Sequence, residues 1–98
     1  MARTPIHPGE ILADELAEID LSAAALARTL DVPPNRISQV IAGKRAITAD
    51  TALRLAHYFG THPDFWMNLQ QRYDLDLARL ALGTALRKLP QRKPARTA

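Results

Sequence analysis

The chain has 98 residues, 47% of them apolar and five aromatic, enough for one small domain whose core must be built from Leu, Ala, Ile and Val. It has no cysteine, which excludes disulfide staples and Cys-based zinc fingers, and it contains neither a signal-peptide h-region nor a run of the roughly 20 apolar residues a membrane span needs, so a soluble cytoplasmic protein without membrane contact is expected. The net charge of +3 is unevenly placed: residues 2–76 carry ten acids against seven Lys/Arg, and from Leu77 onward there are six bases and no acid.

No stretch alternates as a strand would, so the chain reads as all-α. Helix one starts at Pro8, carries its acids early, and places Ile11, Leu12, Leu16 and Ile19 on one apolar stripe. Ser22 suits the cap of helix two, Ala23–Leu30, which buries Leu26, Ala27 and Leu30. Asp31-Val32-Pro33 forms a turn in which Val32 plugs the angle between helices. Pro33 and Pro34 lack N–H donors and are harmless only in a first turn, so helix three is expected over Pro34–Ala42, closed by Gly43 in a left-handed cap. Lys44–Ile47 reads as a loop anchored by Ile47. Thr48 caps helix four, which buries Leu53, Leu55, Ala56 and Phe59 and stops at Gly60.

Thr61-His62-Pro63-Asp64 opens helix five, with Phe65, Trp66, Leu69 and Tyr73. Beyond Asp74 the pattern changes. Leu75–Leu89 is apolar on more than one side, and Leu75, Leu82 and Leu89 share a seven-residue spacing, which predicts an additional C-terminal helix. It either folds back on the core or forms a dimer seam through Leu75, Leu82, Leu86 and Leu89. The organisation expected is therefore a main helical domain over 1–74, the extra helix over 75–89, and a basic tail over 90–98 that grips a phosphate backbone such as that of DNA, grips nothing, or is a protease-sensitive end.

Two short helices about a tight break, the second exposing polar residues, are how a helix-turn-helix offers its second helix to the major groove. Asn35, Ser38 and Gln39 stand at i, i+3 and i+4 and share one face, beside Arg36. Asn and Gln can pair bidentately with adenine N6 and N7, at about 1–3 kcal/mol of discrimination each. Arg36 is one step round, placed for a phosphate or a guanine. Lys44, Arg45 and the helix start at Thr48 are candidate phosphate clamps.

The span Leu21–Ile47 resembles the Xre-type helix-turn-helix of phage repressors, and the wider chain resembles the HigA (VapI-like) antitoxins. The residues that carry this are Ile6-His7-Pro8-Gly9-Glu10-Ile11-Leu12 at the start, and Leu26-Ala27, Ile37-Ser38 and Gly43–Thr48 in the middle. Phe65-Trp66-Met67-Asn68-Leu69-Gln70 completes the set, so the likeness covers residues 6 to 76. It implies a five-helix, lambda-repressor-like domain that contacts bases through Pro34, Asn35 and Gln39, with Ser38 beside them, and backbone near Ser22 and Ala23. Ala23 stands where phage repressors often carry glutamine, and Pro33 replaces the usual capping Ser or Thr. The resemblance further implies a homodimer on a palindromic operator in double-stranded DNA of its own promoter, and neutralisation of a RelE-like ribonuclease toxin, HigB. Two half-sites are also what physics asks of so short a reading helix, about 34 Å apart in successive major grooves.

The acids Glu10, Asp14, Glu15 and Glu18 sit in a stretch with no Lys or Arg between Thr4 and Ala27, a surface suited to a basic partner such as that toxin, or simply a solvated face. Catalysis is not expected: His7, His57 and His62 have no metal-ligand spacing, and no Gly-rich phosphate loop is present, so neither a metal nor a cofactor is foreseen. The alternatives are an orphan Xre-family regulator without a toxin partner, and a protein-interaction module that has lost DNA binding.

Overall fold

The computed structural model describes residues 4–93, so the last five residues of the basic tail lie outside the described residues. Five α-helices, α1 (Pro8–Glu18), α2 (Ala23–Leu30), α3 (Pro34–Ile41), α4 (Ala49–Phe59) and α5 (Pro63–Leu82), are followed by a 3₁₀ segment, Gly83–Lys88, and the described residues contain no strand. The all-α expectation holds.

Four of the five α-helices begin at a side chain that accepts from one of the helix's free N–H groups. His7 takes the place usually held by Ser or Thr: its Nδ1 accepts from Gly9 N at 2.9 Å, while Glu10 Oε2 accepts from His7 N at 3.2 Å, closing a capping box. Ser22 Oγ accepts from Ala25 N at 3.1 Å to start α2, and Asp31 ends it in a left-handed conformation (φ 58°). At α3 the substitution of Pro33 has a visible result: the helix has no side-chain cap at all.

The core is one cluster in which Leu12, Leu26, Ala27, Ile37, Val40, Ala52 and Leu55 are fully buried, with Ile47 and Trp66 beside them. α2 and α3 pack on each other, α1 lies across α3, and α5 closes the base against α4 and α1. At the α1–α3 crossing the backbones nearly touch. A Cβ on Gly9 would lie 2.0 Å from the Val40 carbonyl oxygen, so only glycine permits this approach.

Three expectations are corrected. Ile19 is exposed, because α1 ends at Glu18 and the chain turns left-handed at Asp20. Leu53 is 59% exposed, because the buried stripe of α4 runs through Thr51, Ala52, Leu55 and Ala56, with Leu53 on the opposite side. The separate C-terminal helix from Leu75 does not exist as such. Asp74 does not break α5, its carboxylate instead accepting from Gln70 Nε2 one turn earlier at 3.0 Å, and the helix runs on to Leu82. Gly83 (φ 54°, ψ −128°) then breaks it, so Leu86 and Leu89 leave the heptad line of Leu75 and Leu82. This outer half of α5 does not fold back on the core, and the molecule is drawn out to 52 Å along its longest axis.

Candidate DNA-reading face

The amphipathic register of α3 sets the site. With Ile37 and Val40 wholly buried, the residues between them on the helix turn outward. Pro34, Asn35 and Ser38 are exposed, and Gln39 is half-buried on the same side. Their polar groups are not equally free. Ser38 Oγ donates to Asn35 O within its own helix at 3.1 Å, whereas Gln39 Oε1 accepts from Arg45 Nε at 2.9 Å.

Arg36 departs from that face. It is half-buried and reaches toward α4, its Nη1 lying 3.5 Å from Thr51 Oγ1. Arg36, Arg45, Thr48 and Arg54 meet around a cleft of about 330 Å³ that also touches Pro33 and Asp50. The cleft lies at the start of α4, whose partial positive end adds to three guanidinium groups. Thr48 Oγ1 is itself used, accepting from Thr51 N at 3.4 Å, so an anion there would meet backbone N–H groups and arginines. Lys44 is exposed in the loop just beyond, and Ser22 is exposed at the start of α2 with Ala23 half-buried next to it. The sequence-chosen residues thus fall in three places: the α3 face, the cleft with the loop, and the head of α2.

Three further residues hold this arrangement, in roles that the sequence reading did not assign. Arg54 Nη1 donates to Leu30 O at 2.7 Å and Asp31 O at 3.3 Å, tying α4 to the turn before α3, while its Nε binds Asp50 at 2.7 Å. That carboxylate raises the pKa of Arg54 further and keeps the guanidinium charged. The i, i+4 spacing of Asp50 and Arg54 was the available signal. Gln70 is buried on α5, and its Oε1 accepts from Ile47 N at 2.8 Å, pinning the loop that carries Lys44 and Arg45. Gly9 lets α1 reach α3 from behind.

Elsewhere, Asp14, Glu15 and Glu18 line a shallow depression on α1 with Ile11, while Glu10 is engaged in its capping box. Leu75, Leu82, Leu86 and Leu89 are all exposed, together with Leu77 and Leu80. Among the described residues no group of three His, Asp or Glu could hold a metal ion, and no helix is long and apolar enough to cross a membrane.

Residues 12–66 match the family described as Helix-turn-helix. The chain is 54% identical over 74 residues to virulence-associated protein I of Dichelobacter nodosus, an alignment spanning 74% of this chain and 68% of that protein. Among solved structures it is similar to a HigA-family addiction module antidote protein from Coxiella burnetii, with a TM-score of 0.89 at 50% identity, covering 93% of this chain and all (100%) of that one. It is also similar to the Pseudomonas aeruginosa antitoxin HigA with the higBA promoter, with a TM-score of 0.85 at 47% identity over 89% of this chain and 97% of that one.

Proposed function

The chain belongs to the helix-turn-helix family, and from that premise we propose that it is a DNA-binding antitoxin that represses its own operon. It binds a palindromic operator in its promoter as a homodimer and neutralises a RelE-like ribonuclease of the HigB type. The observation that carries this reading is the α3 face: exposed Asn35 and Ser38 and half-buried Gln39 stand above a buried Ile37 and Val40, flanked by the arginine-lined cleft. The likeness to an antitoxin whose structure was determined with promoter DNA supports it over the whole length of the domain.

Pro34, Asn35, Ser38 and Gln39 are the residues assigned to base edges. Ser22, Ala23, Arg36, Lys44, Arg45 and Thr48 are assigned to the backbone. The outer half of α5, with Leu75 and Leu82 in line and Leu86 and Leu89 beyond Gly83, is assigned to the dimer seam. The acidic side of α1 is assigned to the toxin, with Asp14, Glu15 and Glu18 as its centre and Glu10 at its edge. The protein acts by binding, as a regulator rather than a catalyst.

The purified protein is expected to shift a duplex from its own upstream region, with affinity falling steeply between about 50 and 200 mM salt as several phosphate contacts release counterions. No shift at low salt would leave a protein-interaction module. Co-purification with the product of the adjacent gene, lost when Asp14, Glu15 and Glu18 are neutralised, tests the toxin face; shift without any such partner identifies an orphan regulator.

A further inference from the structure

The assignments above treat Gln39 as a reader of bases and Arg45 as a clamp on phosphate. Their side chains form one unit. Arg45 Nε donates to Gln39 Oε1 at 2.9 Å, across the left-handed turn at Gly43 (φ 76°) that brings the loop back over the end of α3. A primary amide has an acceptor end and a donor end, and a guanidinium has donors only. With its oxygen turned to Arg45, the Gln39 amide cannot flip without setting N–H against N–H. Asn35, the other amide on this face, has no side-chain hydrogen bond among the described residues and is free to turn either way.

The pair is also anchored at both ends. Gln39 is half-buried on α3, and the loop carrying Arg45 is pinned two residues on by the Ile47–Gln70 hydrogen bond of 2.8 Å. Arg45 spends only Nε on Gln39, and its two Nη groups make no hydrogen bond among the described residues. They remain available to a phosphate.

Building on the DNA-binding reading, we propose that Arg45 is a positioning residue that determines specificity. It holds the Gln39 amide with its N–H groups toward the major groove, so that Gln39 selects a purine through the N7 acceptor, while the free Nη groups take the adjacent phosphate. Base reading and backbone contact are thereby joined in one bridge, from phosphate through Arg45 and Gln39 to base.

The test is selection from a double-stranded DNA library with a randomised half-site, using wild type, Gln39→Ala, Arg45→Ala and Arg45→Met. Affinities and salt slopes are then measured on the selected duplex and its single-base-pair variants. Gln39→Ala identifies the base pair Gln39 reads, as the one whose substitution no longer matters. In wild type, replacing that purine with a pyrimidine is expected to weaken binding on the order of tenfold or more. Arg45→Ala and Arg45→Met are both expected to lose most of that discrimination, while penalties at the other base pairs stay as they were. Thermal melting of each variant checks that it folds, and a ratio of affinities within one protein is insensitive to any general loss of binding.

Equal discrimination by wild type and the Arg45 variants overturns the proposal, as does a uniform loss of affinity with a salt slope smaller by about one, the signature of a phosphate contact alone. A wild-type protein that selects no sequence overturns the DNA-binding reading itself, and the proposal with it.

Discussion

On α3, exposed Asn35 and Ser38 stand over fully buried Ile37 and Val40, whereas on the outer half of α5 Leu75, Leu77, Leu80 and Leu82 are 43–49% exposed. Both faces look outward, but only the first is polar and held by side-chain hydrogen bonds to its surroundings. The α3 face is tied by Arg45 to Gln39, by Arg54 to the preceding turn and by Gln70 to the following loop. The α5 face has apolar surface that nothing among the described residues covers. Polar side chains in water incur no cost, whereas each of these leucines, already about half covered, forgoes about half of the roughly 1.5–3 kcal/mol that full burial gives. A helix that is well packed from Pro63 to Gln70 and greasy but open from Leu75 to Leu82 points to a second surface that completes it.

The largest expected effect separates the two faces. Replacing Leu75 and Leu82 together with glutamate keeps helix propensity nearly constant, since Glu and Leu are both strong helix formers. Analytical ultracentrifugation is expected to show dimers giving way to monomers, with the dissociation constant raised on the order of a hundredfold or more. The melting temperature of the monomer should hardly move, because no core contact is lost. A dimer that survives this change puts the seam elsewhere.

The next effect strikes the α3 face from behind. Gly9→Ala would push a Cβ to 2.0 Å from Val40 O and 2.9 Å from Ile41 Cα, against backbone that cannot swing aside as a side chain can. We expect a loss of about 3 kcal/mol or more in denaturant unfolding, with DNA affinity falling alongside. Dimerisation of the fraction that remains folded should be intact. Gln70→Ala follows at about 1–3 kcal/mol, because it leaves the buried Ile47 N–H without its acceptor. Hydrogen exchange should show the Ile47 amide and the loop before it losing protection while the centre of α2 retains it; unchanged protection at Ile47 would mean the tie does not hold the loop.

The same contrast explains what could be read in advance. Helix limits were legible because they are local: Ser22, Thr48 and His62 cap, Pro34 and Pro63 start, and Gly43 and Gly60 stop within a few residues of where they act. The buried faces of α2 and α3 were legible for the same reason, through periodicity. Leu53 was not, since an apolar residue on the outer side of α4 looks in sequence like one on the inner side. The continuity of α5 through Asp74 was hidden because Asp ordinarily disfavours helix interiors, and here a glutamine one turn back supplies its partner. Gly9 stood out as part of a motif, but the need for it lies in a crossing with Val40 far along the chain. The ties from Arg45 to Gln39, Arg54 to Leu30 and Gln70 to Ile47 join residues 6, 24 and 23 positions apart, which no helical period encodes.

The smallest expected effect is a pH dependence centred on the cap of α1. His7 caps α1 only as a neutral imidazole, because Nδ1 must accept from Gly9 N–H. Burial against the fold, edge-on to Tyr73, lowers its pKa below the ordinary 6.5, outweighing the pull of Glu10 and Asp74 in the other direction. The unfolded chain therefore takes up the proton first as pH falls. Stability is full above about 6.5 and declines below it, until the folded form is protonated as well. Melting temperatures measured from about pH 7.5 down to about pH 5 should fall, and His7→Asn, which keeps a capping oxygen but does not titrate, should flatten that fall. The Leu75→Glu, Leu82→Glu variant should keep the wild-type slope, since it leaves His7, Gly9, Glu10 and Tyr73 in place. Equal slopes in wild type and His7→Asn would assign the pH dependence to other groups and remove His7 from the account.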